Sequence, residues 1–204
     1  MIAIVDYQAG NIGSIQNMLK KLDAESTITS DPDVVRKASK IILPGVGAFD
    51  FGVSKLKSSG ITEVLHERKT AGTPVLGICL GAQLMCLDSQ EGVLPGLGWV
   101  QANVIKFPFH VGERKFPVPH IGWDRVSPAK TSCLFDNMPD DARFYFVHSF
   151  YIKCRRESDR LVTNTYGISF DSAFEVENVV GVQFHPEKSH KFGFTLLKNF
   201  VDNF

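Results

Sequence analysis

The sequence predicts a three-layer α/β fold with a mixed, mostly parallel central sheet, and three observations favour it. In the first half of the chain, short apolar runs typical of buried strands alternate with segments whose apolar residues recur at helical spacing. Such alternation is typical of βαβ units, which form parallel sheets. In the second half, apolar stretches follow one another closely, which favours antiparallel hairpins. A length of 204 residues suits one domain, so we expect a single domain over 1–204.

The predicted strands of the first half are short apolar runs that end at turn residues. They lie at Ile2–Val5, Ser26–Thr29, 41–43 and 75–78. One helical pattern covers 12–22, and two later helical patterns run through Leu56 and through Leu65. Another helix is expected to start at Asp31, because the following Pro32 suits the first helical position.

The second half is predicted to hold five strands and a last helix. The strands lie at 99–107, 144–152, 161–166, 168–174 and 179–184. The helix places four apolar side chains at steps of four, which gives one stripe facing the core: Phe192, Leu196, Phe200 and Phe204.

Charge and cysteine content exclude several classes of protein. Lys and Arg number 22 and Asp and Glu also number 22, so the chain lacks the basic field that binding to nucleic acid or to an anionic membrane needs. No apolar run is long enough for a membrane helix, and the opening MIAIVDY does not resemble a signal peptide. Four cysteines are too few for a disulfide scaffold, so we expect reduced thiols and a cytoplasmic location.

The strongest local signal is the sequence Gly-Ile-Cys-Leu-Gly at 77–81, between a predicted strand and a predicted helix over 80–87. It fits the Gly-x-nucleophile-x-Gly elbow with Cys79 as the nucleophile. The helix N-terminus would favour the thiolate, and the backbone N–H of Leu80 would provide half of an oxyanion hole. The alternative is a buried structural cysteine, which is our prediction for the other three: Cys86, Cys133 and Cys154.

A thiol nucleophile needs a base, and His185 is the best candidate among six histidines. It ends a predicted apolar strand, and Pro186 after it stops that strand. Glu187 is close enough in sequence to reach the imidazole and fix its tautomer. The sequence therefore predicts a triad of Cys79, His185 and Glu187, although His-Pro-Glu by itself is weak evidence.

A second oxyanion donor is predicted in the loop Pro-Gly-Val-Gly at 44–47, which follows a strand. Its glycines permit close approach of the backbone to a substrate, and Val46 and Gly47 are the candidate donors. A plain turn between strand and helix is the alternative. The loop fails as a nucleotide-binding fingerprint, because Asp50 stands where the third glycine belongs. Neither C-x-x-C nor H-E-x-x-H occurs, so we expect no metal and no cofactor.

These residues resemble the class I (triad) glutamine amidotransferases. GICLGAQ at 77–83 and GVQFHPE at 181–187 match the two main signatures of that family. Further stretches narrow the resemblance to the glutaminase subunits of imidazole glycerol phosphate synthase: Asp6-Tyr7 with Gly10-Asn11, PGVGAF at 44–49, PHIGWD at 119–124 and YFVHSF at 145–150. The resemblance covers nearly the whole chain and implies the fold of that family.

The resemblance implies hydrolysis of L-glutamine to glutamate and ammonia, and transfer of the ammonia to a (β/α)₈ cyclase subunit in a heterodimer. That cyclase forms imidazole glycerol phosphate and AICAR in histidine biosynthesis. The residues implied to bind glutamine are Gln83, Glu91, His148, Ser149 and Phe150. The residues implied to face the cyclase are Asn11, Trp123, Tyr145 and Lys188.

Three other functions stay open at this stage. A related subunit could supply ammonia to a sugar-amidinating system of surface-polysaccharide synthesis. A non-catalytic binding module on the same scaffold would be expected to have lost a triad residue, and this chain retains all three. A cysteine peptidase fits the triad alone, but Gln83 and Glu91 suit a single free amino acid better.

Overall fold

A computed structural model describes residues 1–10 and 12–204 and has a mixed sheet at its centre. The six helices found within these residues are α1 Ile12–Lys21, α2 Pro32–Lys37, α3 Phe49–Ser58, α4 Ile61–Thr70, α5 Leu80–Leu84 and α6 His190–Asp202. The strands are β1 Ile2–Val5, β2 Ser26–Thr29, β3 Lys40–Gly45, β4 Val75–Cys79, β5 Asp88–Ser89, β6 Ala102–Lys106, β7 His110–Val111, β8 Arg114–Lys115, β9 His120–Arg125, β10 Ser127–Pro128, β11 Arg143–His148, β12 Phe150–Cys154, β13 Arg160–Tyr166, β14 Ile168–Val176 and β15 Val179–Val182.

The central sheet has the order β2-β1-β3-β4-β15-β14-β12-β6-β5, and β13 and β10 branch from β14. The pairs from β2 to β15 are parallel. From β15 onward the pairing is antiparallel as far as β6, and the edge strand β5 is again parallel to its neighbour. The prediction of an α/β fold with a mixed sheet is therefore confirmed, with the hairpins in the second half.

Helices cover both faces of the sheet, which gives the three layers. On one face α2, α3, α4 and α5 bury their apolar side chains against alternate strand residues such as Ala3, Ile41 and Val75. On the other face α1 and α6 pack over the residues between them, such as Ile4 and Ile42. Successive side chains of each strand point to opposite faces, so the sheet has one apolar core on each face, as expected for a sheet buried on both sides.

A second, two-stranded sheet lies on the face covered by α6. Here β11 pairs with β9 over six residues, from Arg143 opposite Arg125 to His148 opposite His120. Alternate side chains of β11 are buried, and Phe144 stacks on Phe184 with ring centroids 4.1 Å apart. This sheet connects the aromatic core to the carboxyl end of β15.

Several boundaries differ from the predicted ones. The predicted strand 144–152 is two strands, because β11 and β12 belong to different sheets and the chain changes sheet at Ser149. The predicted strand 99–107 begins only at Ala102, the helix after Cys79 ends at Leu84 instead of 87, and Phe204 lies beyond α6. In the part of the chain that the structure describes, no helix is both long and apolar enough to cross a membrane.

Candidate active site

Three neighbouring parallel strands end at the same edge of the sheet, and their ends form the site. β4 lies between β3 and β15, with Gly45 opposite Cys79 and Val182 opposite Ile78. His185 follows β15 after a short extension. The order of the strands thus brings together segments that are far apart in the sequence, at the edge where α/β sheets place their sites.

Cys79 is held at a sharp turn from β4 into α5. Its backbone angles are φ 54° and ψ −111°, a region that residues other than glycine rarely adopt. The turn is tight because the flanking glycines have no side chain: a Cβ on Gly81 would lie 1.7 Å from the carbonyl oxygen of Leu43, and one on Gly77 2.8 Å from the backbone of Ala82. The strained conformation and both glycines fit the nucleophile elbow.

His185 and Glu187 form a buried pair beside this turn. Nδ1 of His185 lies 2.7 Å from Oε1 of Glu187, and the two side chains are 1% and 4% exposed. Because the carboxylate accepts, Nδ1 carries the proton and Nε2 is left to face Cys79. Among residues 1–10 and 12–204, Nε2 has no hydrogen-bond partner that meets strict geometry.

The charge state of His185 depends on these neighbours. Burial lowers the pKa of His185, but Cys79 and Glu187 raise it by more, to about 10. The imidazolium form of His185 is therefore favoured over the neutral ring. A charged imidazole oriented by a carboxylate suits a base that pairs with a thiol nucleophile.

The backbone around His185 is fixed by the second sheet. The N–H of His185 donates to the carbonyl of Tyr145 over 2.9 Å. Ser189 Oγ donates to the carbonyl of His185 and accepts from the N–H of Tyr145, over 2.6 and 3.0 Å. These bonds position the imidazole through β11 as well as through β15.

A cleft of about 480 Å³ opens in front of Cys79. The structure brings to its wall eleven of the residues singled out from the sequence: Val46, Gly47, Cys79, Leu80, Gln83, Glu91, His148, Ser149, Phe150, His185 and Lys188. Glu187 lies behind His185, and Pro119 and Val147 complete the wall. The cleft is large enough for a small polar molecule to reach the sulfur.

The side chains of Gln83 and Glu91 line the cleft and are also hydrogen-bonded to other groups of the chain. Nε2 of Gln83 donates to the carbonyl of Phe150 over 3.2 Å and to Oε1 of Gln183 over 3.0 Å. Oε2 of Glu91 accepts from the N–H of Phe49 over 3.0 Å, at the start of α3. Among residues 1–10 and 12–204, Oε1 of Gln83 and Oε1 of Glu91 are not hydrogen-bonded to a protein group and can face a ligand.

Gln183 is a residue of the site that the sequence reasoning missed. Its side chain is completely buried, and Nε2 lies 3.7 Å from the sulfur of Cys79. It stands in the GVQFHPE stretch two residues before His185, so the motif contained it, but no spacing pattern gave it a role.

A second buried histidine pair adjoins the cleft. Burial lowers the pKa of His148 to about 3, so its ring is neutral near pH 7. Nδ1 of His148 lies 2.8 Å from the carbonyl of Phe150 and must donate to it, so Nε2 accepts from Nδ1 of His120 over 3.2 Å. Burial also lowers the pKa of His120, although Asp124 opposes this. The pair therefore contributes no charge at the cleft.

Three of the four residues predicted to face a partner lie together beside the cleft, and one of them, Lys188, lines it. Trp123 is 43% exposed, and its ring packs edge-to-face on Tyr145 with centroids 6.1 Å apart. Nζ of Lys188 lies 5.5 Å from the Tyr145 ring, and His190 stacks on Trp123. Asn11, the fourth, lies outside the described residues. Exposed aromatic and cationic side chains of this kind suit a protein interface.

No group of three or more His, Cys, Asp or Glu side chains within the described ranges is arranged to hold a metal ion. The cysteines described are all free thiols, and Cys86 and Cys154 are buried. Burial, the largest influence in each case, raises the pKa of both these thiols. Their environment disfavours a thiolate.

Comparison with known proteins agrees with this geometry. The family model "Glutamine amidotransferase class-I" matches residues 3–204. A protein of Methanococcus maripaludis named imidazole glycerol phosphate synthase subunit HisH 2 is 47% identical over 98% of each chain. The subunit HisH of Bdellovibrio bacteriovorus is 48% identical over 99% of this chain and 100% of its own, and the subunit HisH 2 of Pseudomonas aeruginosa is 45% identical over 99% of each.

Solved structures show the same fold at low sequence identity. A glutamine amidotransferase from Thermotoga maritima superposes with a TM-score of 0.69 at 17% identity, over 98% of this chain and 96% of that one. The structure of PurLQS from the same organism gives a TM-score of 0.72 at 16% identity, over 98% and 97%.

The chain therefore belongs to the class I glutamine amidotransferase family. Within that family, these three relatives are similar over nearly their full lengths, and each bears the name of an imidazole glycerol phosphate synthase subunit. The resemblance recognised from the sequence motifs is confirmed.

Proposed function

We propose that residues 1–204 form a single glutaminase domain, which hydrolyses L-glutamine and supplies ammonia to a synthase partner. The observation that carries this proposal is Cys79 in a strained turn beside the buried pair of His185 and Glu187. Family membership supports glutamine as the source of the nitrogen. The names of the relatives support imidazole glycerol phosphate synthase, in histidine biosynthesis, as the whole enzyme.

The first half of the reaction forms a thioester. The sulfur of Cys79 attacks the side-chain amide carbon of glutamine, and the carbonyl oxygen becomes an oxyanion. The backbone N–H of Leu80 and one from Val46 or Gly47 stabilise that oxyanion, and one such donor contributes roughly 10²–10³-fold. His185 then gives its Nε2 proton to the amide nitrogen, the C–N bond breaks and ammonia leaves.

The second half releases glutamate. His185, now neutral, takes a proton from water, and the resulting hydroxide attacks the thioester carbon. The C–S bond breaks, the sulfur leaves as a thiolate and glutamate is free to dissociate. Glu187 holds the imidazole in the tautomer that both steps need and stabilises its positive charge.

The substrate's amino-acid end binds on the far side of the cleft from the sulfur. The carboxylate of Glu91 suits the ammonium group, and the oxygen of Gln83 accepts a further N–H. Main-chain groups of His148, Ser149 and Phe150 complete the contacts. Binding both ends of glutamine places its amide carbon within reach of Cys79.

The partner is a (β/α)₈ cyclase subunit in a heterodimer, and it covers the surface formed by Trp123, Tyr145 and Lys188. Asn11 belongs to the same proposed interface. Ammonia passes across this surface into the cyclase, which uses it to form imidazole glycerol phosphate and AICAR. The name "subunit" carried by the relatives supports such an assembly. Chemistry at a reduced thiol fits the cytoplasm.

The proposal is tested by measuring glutamate release from glutamine by the chain assembled with a cyclase subunit. Cys79→Ala is expected to abolish release, because no other group replaces the nucleophile. Cys133→Ala is the matched control and is expected to keep full turnover, since Cys133 does not line the cleft. Undiminished glutamate release by the Cys79→Ala complex would overturn the mechanism. The relatives' names give no support to the surface-polysaccharide alternative.

A further inference from the structure

We propose that Gln183 is a fourth catalytic residue, whose side-chain N–H donates to the sulfur of Cys79 and stabilises it as a thiolate. This inference rests on the proposed glutaminase function. Nε2 of Gln183 lies 3.7 Å from the sulfur, within the range for a hydrogen bond to sulfur, and the side chain is completely buried.

The direction of this hydrogen bond is fixed by two neighbours. The carbonyl of Phe150 only accepts, so the end of the Gln83 amide that faces it must be the NH₂ group. The same NH₂ group donates to Gln183, so the end of the Gln183 amide that faces Gln83 must be its oxygen. The NH₂ group of Gln183 is therefore the end that points at Cys79.

The backbone holds Gln183 in this place. It directly follows β15, the strand beside β4, and its N–H donates to the carbonyl of Ser172 over 2.8 Å. The amide thus contacts the sulfur from the strand beside β4, and His185 follows two residues later on the same strand extension. In the described residues the sulfur receives its hydrogen bond from Gln183.

Gln183 offers the sulfur a donor that does not depend on the proton moved by His185. His185 gives its proton to the departing ammonia and takes another from water. Gln183 keeps its N–H throughout, so it stabilises negative charge on the sulfur both before the attack on glutamine and when the C–S bond breaks. Hydrogen bonds to charged groups are stronger than neutral ones, and more so in a buried site.

Alkylation of Cys79 tests the proposal without using glutamine. In Gln183→Met the side chain keeps its length but loses both the donor to the sulfur and the acceptor for Gln83. We expect iodoacetamide to modify Cys79 about tenfold more slowly at neutral pH, because the sulfur no longer receives a hydrogen bond that favours the thiolate. The reaction is followed on the Cys79 peptide by mass spectrometry. Gln16→Met, on α1, is the matched control and is expected to react like the native chain.

A second variant shows whether slower alkylation comes from the lost donor and not from disturbed packing. Gln183→Glu keeps the acceptor for Gln83 but puts a carboxyl oxygen beside the sulfur, and we expect still slower alkylation. In the assembled enzyme Gln183→Glu should lower kcat for glutamate release with little change in KM, since this variant keeps the acceptor for Gln83 and Gln183 does not line the cleft.

Alkylation at the native rate in both folded variants would overturn the role of Gln183 and leave the glutaminase proposal intact. Slow alkylation together with a native complex that releases no glutamate would instead overturn the proposed function.

Discussion

At His185, two opposing influences decide which form of the imidazole is present. The ring is almost inaccessible to water, which disfavours charge, yet its two neighbours favour charge more strongly. The imidazolium is therefore kept only as long as both partners are present. A substitution of either partner should therefore change the protonation of His185 even where the fold is kept.

Replacing Glu187 with glutamine tests this dependence. Glu187→Gln keeps the size of the side chain but removes its charge, which lowers the pKa of His185 and allows the other tautomer. We expect kcat for glutamate release to fall by roughly 10²–10⁴-fold with a smaller change in KM. Steady-state kinetics of the assembled enzyme measure this, with Glu157→Gln, at an exposed turn, as the control. Equal loss in both variants would argue against a specific role for Glu187.

The individual residues of the candidate site differ in how far the sequence predicted them. Cys79 was predictable because an elbow needs glycines at fixed places, and His185 because a proline and an acid follow it. The role of Gln183 was not, since a hydrogen bond between side chains on neighbouring strands leaves no local spacing pattern. The partners of Gln83 and Glu91 depend on tertiary contacts for the same reason.

At the scale of elements, the junction of β3, β4 and α5 is closely packed, backbone against backbone. α5 is only five residues long, and its backbone packs directly on the end of β3. Such a short helix has little stability of its own, so its contacts with the strands hold it in place. The elbow therefore depends on the absence of a side chain at Gly81.

Two glycine-to-alanine substitutions distinguish the steric cost of a Cβ at this junction from the stabilisation that alanine gives a helix. Gly81→Ala should lower the free energy of unfolding by about 1–3 kcal/mol, because the new Cβ meets the Leu43 carbonyl. Gly13→Ala, in α1, should raise it by about 0.5–1 kcal/mol, since no atom of the described residues lies within 4 Å of the added group. Denaturant titration measures both. Destabilisation of equal size in the two variants would contradict the account.

The strands predicted from the sequence are present, but several of their first and last residues differ from the predicted ones. The run over 144–152 is apolar or aromatic except at His148 and Ser149, and two polar residues inside such a run do not by themselves show that the chain leaves one sheet for another. The helix after Cys79 is shorter than its apolar pattern because Met85 and Cys86 are buried outside regular structure.

At the scale of the whole molecule, two buried histidines give stability opposite dependences on pH. The pKa of His148 is lowered from 6.5 to about 3, so the unfolded chain binds a proton that the folded chain does not, and stability falls as the pH drops below 6.5. The pKa of His185 is raised to about 10, so its contribution is complete below 6.5 and is lost as the pH rises toward 10.

Removing His148 isolates the acid side of this dependence. His148→Gln retains an acceptor for His120 and has no titrating ring. Between pH 6.5 and about pH 4 we expect the native chain to lose about 3 kcal/mol more unfolding free energy than the variant. Denaturant unfolding at a series of pH values measures the two slopes. Identical slopes would show that His148 is not held neutral.

Cys79 and His185 come from different halves of the chain and meet only because β4 and β15 are hydrogen-bonded neighbours. During synthesis Cys79 leaves the ribosome about a hundred residues before His185, and it has no base beside it until β15 pairs with β4. In an incomplete or partly folded chain Cys79 therefore lacks the partner that activates it. The nucleophile becomes reactive only when the central sheet is complete.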